Sequence, residues 1–204
     1  MVKVKIYVEG GGDNRKLKTA CRQGFREFLE KAGDFTGKMP AIVACGSRQS
    51  AYDDFCTATK NIRPGVLPIL LVDSEDAVTE SCAWRHLKRR DNWKKPTAAT
   101  EDQAHLMVQC MESWFLADRE SLADFFGQGF SDNVFPGERN IERIPKQKVF
   151  DALTAATRGA KSKGVYGKGK HSFDLLAKID ANKVPAASEY AKHFVDTLLT
   201  KCGD

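Results

Sequence analysis

Acidic residues follow three apolar runs of this 204-residue chain, at the points where each run ends. Glu9 ends "KIYVE" and comes before three consecutive glycines, and the run "VLPILLVD" ends at Asp73. Carboxylate oxygens in this arrangement could bind a cation or move a proton. The candidate residues are Glu9, Asp13, Asp73, Glu75, Asp76 and Glu112.

Several carboxylates at one place repel one another, since two like charges about 4 Å apart cost roughly 4 kcal/mol at an effective dielectric of 20. A bound cation removes this repulsion. Carboxylate oxygens without a histidine and cysteine cluster beside them are typical ligands of hard ions. The six acids therefore predict a site for one or two Mg²⁺ or Mn²⁺ ions.

Other interpretations of the same residues stay open at this point. Asp13 and Asp76 follow strands and could each cap a helix N-terminus. The "GGGDN" turn could cradle a phosphate in a nucleotide-binding regulator, although it matches neither GxGxxG nor a Walker A motif. A zinc site would need Cys82, His86, His105 and Cys110, whose spacings match no standard zinc finger.

The order of apolar runs and amphipathic segments predicts the elements that position these acids. Strands are expected at 2–8, 41–45 and 66–73, with helices at 14–33 and 50–62 between them. A helix is expected to begin within 79–95, and 104–126 reads as a fourth strand that runs into a helix. Buried strands that alternate with helices indicate an α/β fold, a Rossmann-like core with a mostly parallel sheet flanked by helices. Loops at the carboxyl ends of parallel strands meet at one edge, where the acids would gather.

The last third of the chain predicts a helical C-terminal extension. Pro145 suits the first turn of a helix, and 173–179 and 185–202 resemble two closing helices. Between them, 158–171 is a glycine- and lysine-rich loop. We expect one domain over 1–204, with an α/β core at 1–118 and the helical extension at 119–204.

Composition excludes several protein classes. The chain is 42% apolar and 29% charged, which is typical of a globular protein rather than a disordered one. Its longest apolar run is too short to span a bilayer, and its first residues alternate like a strand rather than a signal peptide. We expect a cytoplasmic protein whose six cysteines are reduced and mostly buried.

Two basic segments suit the backbone of a nucleic acid, or are simply solvated faces. The segment 85–95 holds six Lys or Arg against one acid, and 158–171 holds five and no acid. Trp93 and Tyr166 lie among them and could stack on bases. The candidate nucleic-acid-binding residues are Arg85, Lys88, Arg89, Arg90, Lys94, Lys95, Lys161 and Lys163.

Other aromatic residues and histidines are expected to be structural. Trp114, Phe115, Phe125 and Phe126 have helical spacing and suit a core. His105 and His193 lie in apolar or helical runs, and His171 is at most a minor contributor to a site.

The motifs resemble the TOPRIM domain shared by topoisomerases, primases and the OLD (overcoming lysogenization defect) nucleases. "YVEGGGD" is similar to the OLD-type version, in which a second acid follows the glutamate four positions later, here Glu9 and Asp13. "LLVDSED" is similar to the aspartate-x-aspartate position, with Glu75 in place of the second aspartate. "CMESWFLAD" resembles the segment that carries a later glutamate, here Glu112. The resemblance covers residues 3–118, and the chain also resembles a small bacterial family of TOPRIM-like proteins.

This resemblance implies a metal-dependent nuclease. Glu9, Asp13, Asp73 and Glu75 would hold Mg²⁺ or Mn²⁺, with Asp76 or Glu112 assisting, and Glu9 and Asp73 would be catalytic. OLD-like proteins also carry a late catalytic lysine, for which Lys168 and Lys170 are both candidates.

The resemblance further implies a role in anti-phage defence beside a partner ATPase. Partners that the sequence leaves open include a second copy of this chain in a homo-oligomer. The alternative is a TOPRIM-like module that binds nucleic acid or protein without cleavage.

Overall fold

A computed structural model of the chain describes residues 2–61 and 63–203. Four strands, β1 (Lys3–Gly11), β2 (Ala41–Gly46), β3 (Val66–Asp73) and β4 (Ala104–Met107), form one sheet in the order β2-β1-β3-β4. Every neighbouring pair is parallel. The α/β fold with a parallel sheet flanked by helices is confirmed, and β3 has the predicted bounds.

Helices α1 (Arg15–Ala32) and α2 (Arg48–Lys60) follow β1 and β2, and each begins at a side-chain cap. The Asn14 side chain accepts hydrogen bonds from the backbone N–H groups of Lys16 and Leu17. Ser47 caps α2 in the same way. The prediction extended α2 to Ile62, which lies outside the described residues.

The segment 79–95 contains helix α3 (Ala83–Asp91), as expected, and a 3₁₀ turn (Glu101–Gln103) precedes β4. The predicted single helix after β4 is wrong: the chain forms a 3₁₀ helix (Met111–Ala117) and then α4 (Arg119–Phe126). The break lies at Asp118, whose carboxylate accepts the backbone N–H of Ser121 and so starts α4 anew.

The C-terminal extension is helical as expected, with more elements than predicted. Two 3₁₀ turns (Asp132–Val134 and Ile141–Arg143) precede the helix that begins after Pro145. Helices α5 (Lys146–Thr157) and α6 (Ser172–Leu176) flank the basic loop. The last predicted helix is two helices, α7 (Lys183–Ala187) and α8 (Glu189–Gly203), because Ser188 between them has an extended backbone.

The sheet is buried on both faces. Along β3, Ile69 and Leu71 pack on the face covered by α1 and the C-terminal helices, whereas Leu70 and Val72 pack on the face of α2 and α3. The larger core runs from β1 to Cys202 in α8. The extension therefore completes the same core that the sheet begins.

Two further expectations concern the thiols and membranes. All six cysteines are free, and four of them are buried. Among the described residues, the helices include none that is long and apolar enough to cross a bilayer.

Candidate metal centre

Three carboxylates meet at the carboxyl edge of the sheet. Glu9, Asp73 and Glu75 each place one carboxylate oxygen within 4.8 Å of the others. They meet because β1 and β3 are neighbours, with Val8 opposite Leu71, so both strands end together. This group could hold a metal ion.

Backbone contacts fix the two strand-end acids. The Asp73 N–H donates to Glu9 Oε2 at 3.3 Å, and Asp73 Oδ1 accepts from the Met111 N–H at 2.8 Å. Only 4% of Asp73 is exposed. These contacts join β1, β3 and the 3₁₀ helix at one residue, Asp73.

Glu75 reaches the same place through an unusual backbone conformation. Its φ is 69°, in the left-handed region that residues other than glycine rarely adopt. Its N–H donates to the Gln109 carbonyl at 2.8 Å, which holds this conformation. The backbone is thus constrained where it directs an acid toward the site.

Burial and like charges act together on these acids. Burial, with the charges of Glu9 and Glu112, raises the pKa of Asp73 well above its ordinary value. Burial also raises the pKa of Glu9, although Arg48 opposes the change. A cation at this position would relieve the repulsion.

Lys168 is exposed, and its ammonium lies near these acids and 5.5 Å from the centroid of the Phe150 ring. Desolvation would lower its pKa, but the negative charges of Glu112, Asp73 and Glu9 outweigh it and raise the pKa. The Lys170 ammonium instead donates to the Lys163 carbonyl at 3.1 Å and lies in solvent. The structure thus separates the two candidate lysines and directs Lys170 away from the site.

Two of the three carboxylates, those of Glu9 and Asp73, line a pocket of about 220 Å³. Its lining combines charged and apolar side chains. The lining includes Glu9, Asp73, Glu112, Lys168, Leu17 and Phe173. A charged group with an apolar neighbour would fit this shape.

Glu112 is buried in this pocket, although it is outside the group of three carboxylates. It lies in the 3₁₀ helix after β4, and its Oε1 accepts hydrogen bonds from Tyr166 Oη and Ser172 Oγ, each at 3.2 Å. Its Oε2 is buried without a hydrogen-bond partner. One buried carboxylate oxygen is therefore uncompensated at the pocket wall.

The predictions for Asp13 and Asp76 need correction. Asp13 is exposed and outside the carboxylate group, and the cap of α1 is Asn14 instead. Asp76 points to Arg90, with 3.3 Å between its Oδ2 and the arginine Nε, and its side chain is 65% exposed.

Sequence reasoning missed two basic residues of the site, Arg48 and Lys146. The Arg48 guanidinium lies 3.7 Å from Glu9 Oε2 and also bonds the Asp73 carbonyl. The Lys146 ammonium lies 2.6 Å from Glu75 Oε1. Arg48 follows the carboxyl end of β2, so the edge rule that identified the acids would have found it. Lys146 has no comparable sequence signal.

The glycine turn is required by close packing. Gly11 has a φ of +85°, and a Cβ there would lie 2.7 Å from the Lys18 Cα of helix α1. A Cβ on Gly46 would lie 2.6 Å from the Gly12 carbonyl. The glycines let the end of β1 pack against α1 and β2.

The basic segments are partly engaged within the protein. Arg89 pairs with Glu80, and Arg90 pairs with Asp76. Four other residues line one groove beside α3: Arg85, Lys88, Lys94 and Lys95. Lys161 and Lys163 are exposed in the loop before α6.

Trp93 and Tyr166 do not offer free faces for base stacking, contrary to the sequence prediction. Trp93 is 6% exposed and stacks on Tyr52 with 4.4 Å between ring centroids. Tyr166 is 7% exposed, and its hydroxyl contacts Glu112. Both rings complete the core around the site.

The zinc alternative is not assembled. Within 2–61 and 63–203, the three carboxylates are the one group of acids, histidines and cysteines with metal-ligand spacing. His86 Nε2 lies 2.9 Å from the Ser74 carbonyl, and His105 Nε2 lies 3.0 Å from the Asp102 carbonyl. These rings are structural, as is His171, which is buried and accepts the Gly167 N–H.

Comparison with known proteins gives one result. The model of a family described as a domain of unknown function, DUF4276, matches residues 8–199. No curated protein and no solved structure matches the chain.

Proposed function

Since the chain belongs to the DUF4276 family, whose description assigns no activity, we propose a function from the site itself: metal-dependent hydrolysis of phosphodiester bonds in nucleic acid. Mg²⁺ or Mn²⁺ would bind at Glu9, Asp73 and Glu75. The observation that carries the proposal is the convergence of these three carboxylates within 4.8 Å at the end of two parallel strands. Oxygen ligands of this kind favour hard divalent ions.

The donor set fits such an ion. All three ligands are carboxylates, and burial and like charge raise the pKa values of Glu9 and Asp73. Their ionised forms are therefore unfavourable without a nearby positive charge. A bound divalent ion would polarise a phosphate oxygen and activate water.

The other residues of the pocket support phosphoryl chemistry. Lys168 faces the carboxylates, where its ammonium would stabilise negative charge that develops on the phosphate. The apolar side chains of Leu17 and Phe173 in the lining would help to exclude water. The groove of Arg85, Lys88, Lys94 and Lys95 would hold the nucleic-acid backbone away from the reacting bond.

One observation favours the non-catalytic alternative. Arg48 and Lys146 already place positive charge beside the acids. If these two basic residues are the permanent counter-ions of the acids, the carboxylates form an internal ion-pair network. The groove beside α3 is then the part of the protein that binds nucleic acid. A partner ATPase and a defence role stay predictions from the resemblance to OLD nucleases.

The test is cleavage of labelled single-stranded DNA, duplex DNA and RNA with Mg²⁺, Mn²⁺ or a chelator. We expect cleavage that requires the ion and is lost in Glu9→Gln and Asp73→Asn. Asp196→Asn, which changes an exposed acid of α8, serves as the matched control and should cleave normally. Cleavage that persists in both site variants would refute the assignment. If these proteins bind nucleic acid and none of them cleaves it, the result would support the non-catalytic alternative.

A further inference from the structure

Lys146 occupies a cation position within the acidic group. Its Nζ lies 2.6 Å from Glu75 Oε1 and 3.9 Å from Asp73 Oδ2. Two of the three carboxylates that could hold a metal therefore already share one ammonium from the protein. The side chain is 25% exposed, so it lies at the mouth of the site rather than deep in the core.

Gln109 holds both partners of this ion pair. Its side-chain Oε1 accepts the backbone N–H of Lys146 at 3.0 Å. Its backbone carbonyl accepts the N–H of Glu75 at 2.8 Å. The start of α5 and the turn after β3 are thus fixed to the same residue, and the ammonium stays within reach of the acids.

The Lys146 ammonium does not contact every carboxylate around the pocket. The buried Glu112 Oε2 has no hydrogen-bond partner and lines the same pocket. This oxygen is an acceptor that a bound water or a cation in the pocket would satisfy. A divalent ion at Glu75 and Asp73 would, however, approach the Lys146 ammonium closely, and two cations at that distance repel.

We propose that Lys146 is the resident counter-ion of this site and that a divalent ion displaces it. Its ammonium neutralises Glu75 and Asp73 until the ion binds, and it is then released. Held nearby by α5, the released ammonium contacts the phosphate of the bound substrate. The displacement rests on the proposed metal site, and the phosphate contact rests on the proposed nuclease activity.

The first test compares Mn²⁺ affinity in the wild type, Lys146→Met and Lys192→Met by calorimetry. Lys192 pairs with Asp196 at 2.5 Å on the surface of α8 and is a matched lysine–acid control. Removal of a competing charge should tighten Mn²⁺ binding roughly tenfold in Lys146→Met, and Lys192→Met should match the wild type. Equal or weaker binding in Lys146→Met, or no binding in any protein, would overturn the displacement.

A second test uses the wild-type protein and does not depend on how the variant folds. Lysines are acetylated with a brief pulse of acetic anhydride, with and without Mn²⁺, and the modified sites are quantified by mass spectrometry. Mn²⁺ should raise the modification of Lys146 severalfold relative to Lys192, because release from Glu75 exposes its amine. Unchanged relative modification would overturn the proposal.

Cleavage assays separate the displacement of Lys146 by the ion from its proposed contact with the phosphate. With saturating Mn²⁺, Lys146→Met should bind the ion more tightly yet cleave more slowly than the wild type. Normal cleavage by this variant would refute the proposed contact between Lys146 and the phosphate. Mn²⁺ binding by a wild-type protein that cuts no nucleic acid would refute the nuclease function and leave the displacement standing.

Discussion

Arg48 connects the acidic site to the helices around it, and its removal should destabilise the fold measurably. The guanidinium pairs with Asp91 through two hydrogen bonds, at 2.7 and 3.3 Å, and bonds the Asp73 carbonyl. It also lies over the Trp93 ring, 4.8 Å from the centroid. In Arg48→Met the aliphatic stem can still pack on Trp93, while the charge and its hydrogen bonds are lost.

The magnitude follows from burial and from the remaining partner. The side chains of Arg48 and Asp91 are 13% and 12% exposed. Removal of one partner of a buried ion pair typically costs about 3–5 kcal/mol. Arg90 still contacts Asp91 at 2.5 Å and reduces that penalty. We therefore expect Arg48→Met to lower the free energy of unfolding by about 2–3 kcal/mol.

The assay is urea unfolding followed by circular dichroism, with Arg26→Met as a control. Arg26 forms an exposed ion pair with Glu30 on α1, with its side chain 64% exposed, so its loss should cost less than about 0.5 kcal/mol. Asp91→Asn completes a double-mutant cycle with Arg48→Met. The two substitutions should be non-additive, because they remove the same contact.

The effect should also depend on pH in a defined direction. Burial alone would raise the pKa of Asp91, but hydrogen bonds and charge from Arg48, with Arg90, hold it below its ordinary value. A lowered pKa in the folded state contributes stability above about pH 4, and this stability is lost as the pH falls through the folded-state pKa. The difference between wild type and Arg48→Met should therefore shrink in acid. A cost below about 0.5 kcal/mol at pH 7, or a cost that grows in acid, would contradict this account.

Three further predictions concern other parts of the fold and site. Burial lowers the pKa of His105 to about 3. Between about pH 6.5 and 3 the imidazole is therefore protonated in the unfolded chain and neutral in the folded protein. Stability should fall with decreasing pH across that range by as much as about 1.4 kcal/mol per unit, and His105→Gln should flatten this slope in pH-dependent urea unfolding. Lys168→Met should reduce nucleic-acid cleavage by roughly a hundredfold, while the outward-facing Lys170→Met should leave the rate unchanged. Gly11→Ala should lower stability by about 2 kcal/mol or more, since its φ is +85° and its Cβ would collide with the α1 backbone. Gly12→Ala, with no atom within 4 Å, should cost less, and equal melting temperatures of these two variants would refute the packing argument.

Several parts of the fold followed from local pattern. The β3 run is apolar at every position before Asp73, and such a run bounded by turns predicts a strand buried on both faces. Parallel strands present their carboxyl ends at one edge, so Glu9 and Asp73 were expected to meet there. The boundaries after β4 were not predictable, because the break at Asp118 depends on its contacts with distant residues such as Lys183.

The sequence by itself determined the α/β class and the convergence of acids at the sheet edge, since strand periodicity and chain order are local properties. Only the tertiary structure decided which side chains complete the site. It placed Lys168 rather than Lys170 at the pocket, added Arg48 and Lys146, and left Asp13 in solvent. The physical reason is that the direction of a side chain on a loop depends on packing against residues far away in the sequence, which no local pattern contains.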